Sequence, residues 1–222
     1  MEKLKEEQLK LSQKIVLKDE FEAVNTIAGV DVVNSDKNII ATVVVCNAKT
    51  MEQIERKYSS MEAKFPYITG FQSYRESPPI IDAFSKLRNK PDILIVEGDG
   101  ALHPRRIGLA AHLGLLLNRP TIGVTKKVSF GELKEDTVYI DLEACGKLVK
   151  IKEKGNPVVV SPGHMISLKT SIEIVKKCAR EPYKVPMPLA LAHKYANKIK
   201  KNLEKEDNLV AVGQKESGKE VS

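Results

Sequence analysis

The chain has 222 residues, 42% hydrophobic, 29% charged and 5% aromatic, a balance that supports one substantial core and excludes a fibrous or wholly disordered protein. Lysine and arginine number 36 against 29 aspartate and glutamate, a formal charge of +7, which favours a polyanionic partner without identifying it. Cys46, Cys145 and Cys178 show no C-x-x-C spacing, which argues against a structural zinc site and for unpaired, mostly buried thiols in a reducing compartment. No apolar run approaches the roughly 20 residues that cross a bilayer, and Met1 to Glu7 lack a signal peptide's apolar stretch, so the expectation is a cytoplasmic protein that engages no membrane.

From Glu2 to Glu22 the charge is dense and mixed, with Leu4, Leu11 and Ile15 on one stripe, which predicts an amphipathic outer helix. Thr26 to Val33 and Asn38 to Cys46 are β-branched runs joined by the polar Asn34-Ser35-Asp36-Lys37, a hairpin signal. A third strand over Gln53 to Ser60 completes an antiparallel meander. A turn-rich loop, Phe65 to Pro79, leads to a helix near Ile80 to Asn89 and a short strand, Asp92 to Val96, that ends in Glu97-Gly98-Asp99-Gly100. A helix over Ile107 to Leu117 and a strand over Thr121 to Thr125 follow, and this alternation predicts a parallel, buried sheet.

A β-rich insertion is predicted from about Thr137 to Val160, then a helix over Ser167 to Ala179 and a lysine-bearing helix from Leu189 to about Lys205. Residues 206–222 read as a polar, frayed tail, so 1–205 form a single domain. Three antiparallel strands, a crossover helix and further parallel strands make an α/β fold of ribonuclease H-like order, a central mixed sheet flanked by helices.

Asp31 interrupts an apolar strand, where a charge is costly unless paired or bound to a cation. In this topology the end of the fourth strand brings Glu97 or Asp99 beside it, which outlines a divalent metal site suited to activating water against a phosphodiester. Glu76, at the start of a helix, either joins this acidic cluster or caps that helix's first turn. His103-Pro104-Arg105-Arg106 stands between a glycine-rich turn and a helix, so Arg105 and Arg106 either hold phosphate or are a solvated basic helix start. Lys126 or Lys127 points to the same sheet end. His164 either positions water or metal or is a hydrogen-bonded structural histidine, and His112 and His193 read as structural. Phosphate-loop, dinucleotide-binding and nucleophile-elbow signatures are missing.

Taken together, Ile27-Ala28-Gly29-Val30-Asp31, Pro66-Tyr67-Ile68-Thr69-Gly70 through Tyr74-Arg75-Glu76-Ser77-Pro78, Gly98-x-Gly100 through His103-Pro104-Arg105-Arg106-x-Gly108-Leu109-Ala110, Pro120-Thr121-Ile122-Gly123-Val124-x-Lys126 and Ser161-x-Gly163-His164 resemble the endonuclease V family, from about residue 20 to about 200. The resemblance implies Mg²⁺-dependent cleavage, with Mn²⁺ as a substitute, of the second phosphodiester bond 3′ to a deaminated purine such as hypoxanthine. The base is not removed, and the nick carries a 5′-phosphate. It implies Asp31 and Glu97 as metal ligands, Glu76 in the acidic cluster, and Lys126 and His164 beside the scissile phosphate. Tyr67 would belong to a wedge that opens the duplex, while Gly70, Gly98, His103 and Leu109 line the pocket for the extruded base.

Three positions depart from the family pattern. Glu97 replaces an aspartate, which makes Asp99 the second choice as ligand. Thr69 replaces a proline, and Gln72 replaces a leucine near the base pocket, where an amide would alter or broaden base selectivity. The implied partner is double- or single-stranded DNA with deaminated bases, bound by a monomer. Two alternatives remain, an endoribonuclease for inosine-containing RNA and a binding protein impaired in catalysis by the change at Glu97.

Overall fold

β-branched runs of valine and isoleucine, which favour strands over helices, build the centre of the molecule. A computed structural model describes residues 1–35 and 38–217, with side chains to residue 206. In chain order the elements are α1 (Glu2–Ser12), β1 (Thr26–Asn34), β2 (Asn38–Asn47), β3 (Gln53–Glu62), α2 (Gln72–Ser85), β4 (Ile93–Glu97), α3 (Leu109–Leu117), β5 (Thr121–Thr125), β6 (Glu132–Lys134), β7 (Thr137–Ile140), β8 (Glu143–Val149), β9 (Val158–His164), α4 (Leu168–Lys177) and α5 (Met187–Ser217). They form one nine-stranded sheet in the order β3-β2-β1-β4-β5-β9-β8-β7-β6. β1, β4 and β5 are parallel, and every other pairing is antiparallel. The ribonuclease H-like mixed sheet is thus present.

Side chains alternate between the faces with period two. On one face Ala28, Val30, Leu94 and Val96 pack against Ile80, Ala83 and Phe84 of α2 and Leu109 and Leu113 of α3. On the other, Ile27, Ile93, Ile95, Ile122 and Val124 meet Ile174 of α4 and Leu189 of α5. Gly29 makes this second contact close, because a Cβ there would lie 2.1 Å from the Pro188 backbone. The helix α5 therefore rests directly on β1, reaching Gly29 at Pro188 and Asn34 at Lys200, whose Nζ donates to the Asn34 carbonyl.

Several boundaries differ from the sequence reading. α1 stops at Ser12 instead of Glu22, and the next residues are held by tertiary partners: the Val16 N–H donates to His164 Nδ1, and Asp19 accepts from the Ser167 N–H and the Thr170 hydroxyl. α2 begins at Gln72, ahead of Ile80, with Pro78 and Pro79 inside it. Each proline forgoes a helix hydrogen bond, yet burial of Ser73, Ser77, Pro79 and Ile80 along one face keeps the helix intact.

The supposed insertion is no separate element, since β9, β8, β7 and the short β6 extend the main sheet. β9 continues through His164 where the reading ended it at Val160. α5 starts at Met187 and reaches Ser217, past Lys205. Asp36 and Lys37 of the expected turn, and 218–222 of the expected tail, lie outside the described residues. All three cysteines are free and buried.

Candidate active site

Strand register assembles the centre. Val30 pairs with Val96 and Glu97 with Val124, so the next residue of β1, Asp31, lies beside Glu97 at the carboxyl ends of parallel strands. Asp31, Glu97 and Lys126 have the same parity as Ile27, Ile95 and Val124, and so share the α5 face. Lys126 Nζ stands 3.2 Å from Glu97 Oε1. From above, α5 contributes His193, whose Nδ1 lies 2.9 Å from Asp31 Oδ2, and Asn197 Nδ2 lies 3.1 Å from the other ring nitrogen. Ligand atoms of Asp31, Glu97 and His193 all fall within 4.8 Å of one another, the one such group among the described residues.

Asp31 is only 3% exposed. Burial first, then the hydrogen bond and charge of Glu97, push its carboxyl up to about 8. Glu97 is also partly buried, which raises it, but the hydrogen bond from Asp31 and the Lys126 ammonium hold it below the ordinary carboxylate range. Two acids thus share a proton between strand ends, in a position that favours positive charge. Two carboxylates and an imidazole suit a divalent ion, so the side chains fit the implied metal.

Beside the centre lies a pocket of about 240 Å³ whose lining includes Tyr67, Gln72, Glu76, Glu97, Asp99 and His103. Gly98 and Leu109 line it as well. Glu76 sits near the start of α2, in its second turn and so past the first turn it would have capped; burial pushes it up to about 7, with Arg75 opposing and Glu97 adding to the rise. Tyr67 stands at the lip, 64% exposed. Gly70 adopts φ +78°, a left-handed turn that its lack of a side chain permits. Its carbonyl accepts from Gln8 Nε2 at 3.1 Å and Arg105 Nη2 at 2.8 Å, and His103 Nε2 lies 3.2 Å away. The other His103 nitrogen accepts from the Arg105 N–H, so Nε2 carries the proton and donates. Burial, then the Arg105 charge, lower His103 to about 4 and keep it neutral.

The structure places several of these residues differently from the sequence reading. His164 is not at the centre: β9 runs antiparallel to β5 and pairs His164 with Thr121, while Thr125 pairs with Val159. Four residues at about 3.3 Å each put it roughly 13 Å away along the strand, where it anchors Val16. His193, read as structural, takes the place beside Asp31. Its signal in the sequence was an imidazole at the edge of the buried α5 stripe formed by Leu189, Ala192 and Ala196.

Arg105 holds no free fork towards a phosphate, because it binds Gln8 and Gly70 and stacks over Phe71 at 4.6 Å. Arg106 is likewise engaged by Glu143 and Cys145. Asp99 is outside the ligand group; its Cβ packs against Gly108, and its Oδ1 is buried without a hydrogen-bond partner. Gln72 accepts from the Gly70 N–H at 2.9 Å and its amino group lies 3.5 Å from the Tyr67 hydroxyl. Its oxygen is therefore engaged within the loop, and its amino group faces the Tyr67 hydroxyl at the pocket.

A pair of acids at adjoining parallel strand ends, answered by a lysine and a histidine on a sheet of this order, defines an acid-centred nuclease with the ribonuclease H-like fold. The chain belongs to the Endonuclease V family, whose sequence profile matches residues 9–194. It is 41% identical over 199 residues to Endonuclease V of Dictyoglomus thermophilum, covering 86% of this chain and 87% of that one. Among solved structures it resembles Endonuclease V of Bacillus subtilis with a TM-score of 0.83 and 29% identity, covering 90% and 91% of the two chains. It also resembles Endonuclease V of Ciona intestinalis bound to a 24mer DNA containing an inosine followed by a ribo-adenosine, with TM-score 0.83, 27% identity, and 90% and 97% of the chains covered. Among the described residues, no helix is long and apolar enough to cross a membrane.

Proposed function

We propose that this protein nicks DNA at the second phosphodiester bond 3′ to a deaminated purine, leaving a 5′-phosphate and the base in place. The observation that carries the reading is the acid pair Asp31–Glu97 capped by His193, in which Glu97 also lines the pocket beside Tyr67. Residues 1–205 act as one domain and as a monomer. Asp31, Glu97 and His193 would hold Mg²⁺ or Mn²⁺, which when bound supplies acidification of water and neutralisation of phosphate charge. Lys126 keeps Glu97 ionised and presents an ammonium to the phosphate, and Glu76 adds a third carboxylate at the pocket edge.

Tyr67 stacks where the base leaves the helix, and a mispaired hypoxanthine costs less to extrude than a paired base. Leu109 and Gly98 form the floor, and the neutral His103 fixes the Gly70 carbonyl. The Ciona complex with inosine-containing DNA supports this substrate. The longer Glu97 side chain still meets Asp31 and Lys126, which speaks against a binding protein without catalysis. The test is nicking of a single-inosine duplex and of the matching RNA with Mg²⁺, with Mn²⁺ and with chelator. Metal-dependent, inosine-dependent cuts on DNA are expected; faster cutting of the RNA would move the assignment to inosine-containing RNA, and binding without any cut would overturn it.

A further inference from the structure

A second cavity, of about 210 Å³, lies on the α5 face and shares Glu97 with the first. Its walls are apolar, from Val124, Val158, Val185, Leu189 and Ala190. Its rim carries the Lys126 and Lys194 ammonium groups and the His193 imidazole. Glu97 therefore stands between two cavities, one under Tyr67 on the α2 and α3 side and one under α5. A nucleotide offers the matching pair of properties, the apolar ring face of a base and the C–H face of a deoxyribose beside an anionic phosphate.

Lys194 also begins a row. Lys198, Lys201 and Lys205 follow at i+4, i+7 and i+11, all exposed, and at 3.6 residues per turn they stay within a narrow stripe about 16 Å long. The acids of the same described stretch, Glu204 and Glu206, fall off this stripe, and Glu204 pairs with Lys200 instead. At about 3.4 Å of rise per nucleotide, that length matches roughly five nucleotides. The row starts at the centre and follows α5 past Lys200, which contacts Asn34 at the carboxyl end of β1.

We propose that the strand 3′ of the cut leaves along α5, with the first nucleotide after the scissile phosphate in this apolar cavity and the following phosphates on Lys194, Lys198, Lys201 and Lys205. The polarity rests on the functional reading above, in which the lesion, 5′ of the cut, fills the pocket under Tyr67. The other side of Glu97 is then left for the 3′ segment.

The test uses the full chain and inosine oligonucleotides with long flanks on both sides, with the 3′ flank cut back to one nucleotide, or with the 5′ flank shortened. Binding is read by fluorescence anisotropy in chelator across a salt series, and nicking is read separately with Mg²⁺. Shortening the 3′ flank should weaken wild-type binding. The triple variant Lys198→Ala/Lys201→Ala/Lys205→Ala should lower the log–log salt slope by about 2, at about 0.7 per phosphate contact on a single strand, and should no longer respond to the 3′ flank.

An abasic residue just after the cut should weaken wild-type binding but not add to the loss in Ala190→Leu, which fills the cavity. A triple variant that keeps its response to the 3′ flank, or loses the response to the 5′ flank instead, overturns the path, as does full abasic sensitivity in a folded Ala190→Leu. A wild type that fails to cut at inosine overturns the function reading alone, because the flank effects are read without cleavage.

Discussion

The carboxylate centre at the ends of β1 and β4 and the polar knot around Gly70 border the same pocket, and they treat burial in opposite ways. At Gly70 one carbonyl receives Gln8, His103 and Arg105, and each donor has a defined place. At the centre two acids are pressed together, and the nearest ammonium, Lys126, is 66% exposed. A satisfied network stabilises and orients, whereas buried acids forced to share a proton lower stability and persist where something else must bind. The comparison separates Arg105, promising as a phosphate fork in the sequence but engaged by Gln8 and Gly70, from His193, read as scaffold but placed beside Asp31.

The largest expected effect separates the regions by activity. Asp31→Asn and Glu97→Gln should each lower nicking by about 1,000-fold or more, while thermal melting in chelator shows no loss of stability, since each relieves the cost of forcing two buried acids to share one proton. A substantial fall in melting temperature would place these acids with the satisfied networks instead.

Next come the two histidines. His193→Ala should cost roughly 100-fold in nicking with little change in denaturant midpoint. His164→Ala should cost about 1 kcal/mol of stability, leaving the Val16 N–H without its acceptor, and should retain nicking within a factor of about 3 once corrected for folded fraction. Reversed results would return His164 to the centre.

The knot has its own signature in pH. His103 is held neutral, with its pKa lowered to about 4, so between about 4 and 6.5 the unfolded chain binds more protons than the folded one and stability rises with pH. Its contribution is present above about pH 6.5 and is lost as pH falls towards 4, by up to about 3 kcal/mol. Urea unfolding across this range should show the slope in the wild type and a flatter one in His103→Asn.

Arg105→Ala should destabilise by about 1–3 kcal/mol, because Gln8 and the Gly70 carbonyl lose a partner, and should leave the salt dependence of DNA binding unchanged. A reduced salt slope would restore its phosphate role. The smallest effect falls on Gln72, whose amino group reaches Tyr67 only at 3.5 Å. Gln72→Leu should shift the relative nicking of hypoxanthine, xanthine and uracil duplexes by no more than about 3-fold.

Local chemistry made the mixed sheet, the odd charge of Asp31 in an apolar strand, and Glu97 at a strand end legible in the amino-acid sequence alone. Period-two alternation and β-branched runs act over a few residues, and a buried acid is costly wherever it falls. Tertiary structure alone decided which histidine stands at the centre, which arginines are spent internally, and how far α2 and α5 run. Those outcomes depend on strand direction and on contacts between distant segments: β9 runs against β5 and carries His164 away, while α5 lies along β1 and brings His193 over Asp31. A side chain's partners are set by where the sheet puts its neighbours, and no spacing along the chain records that.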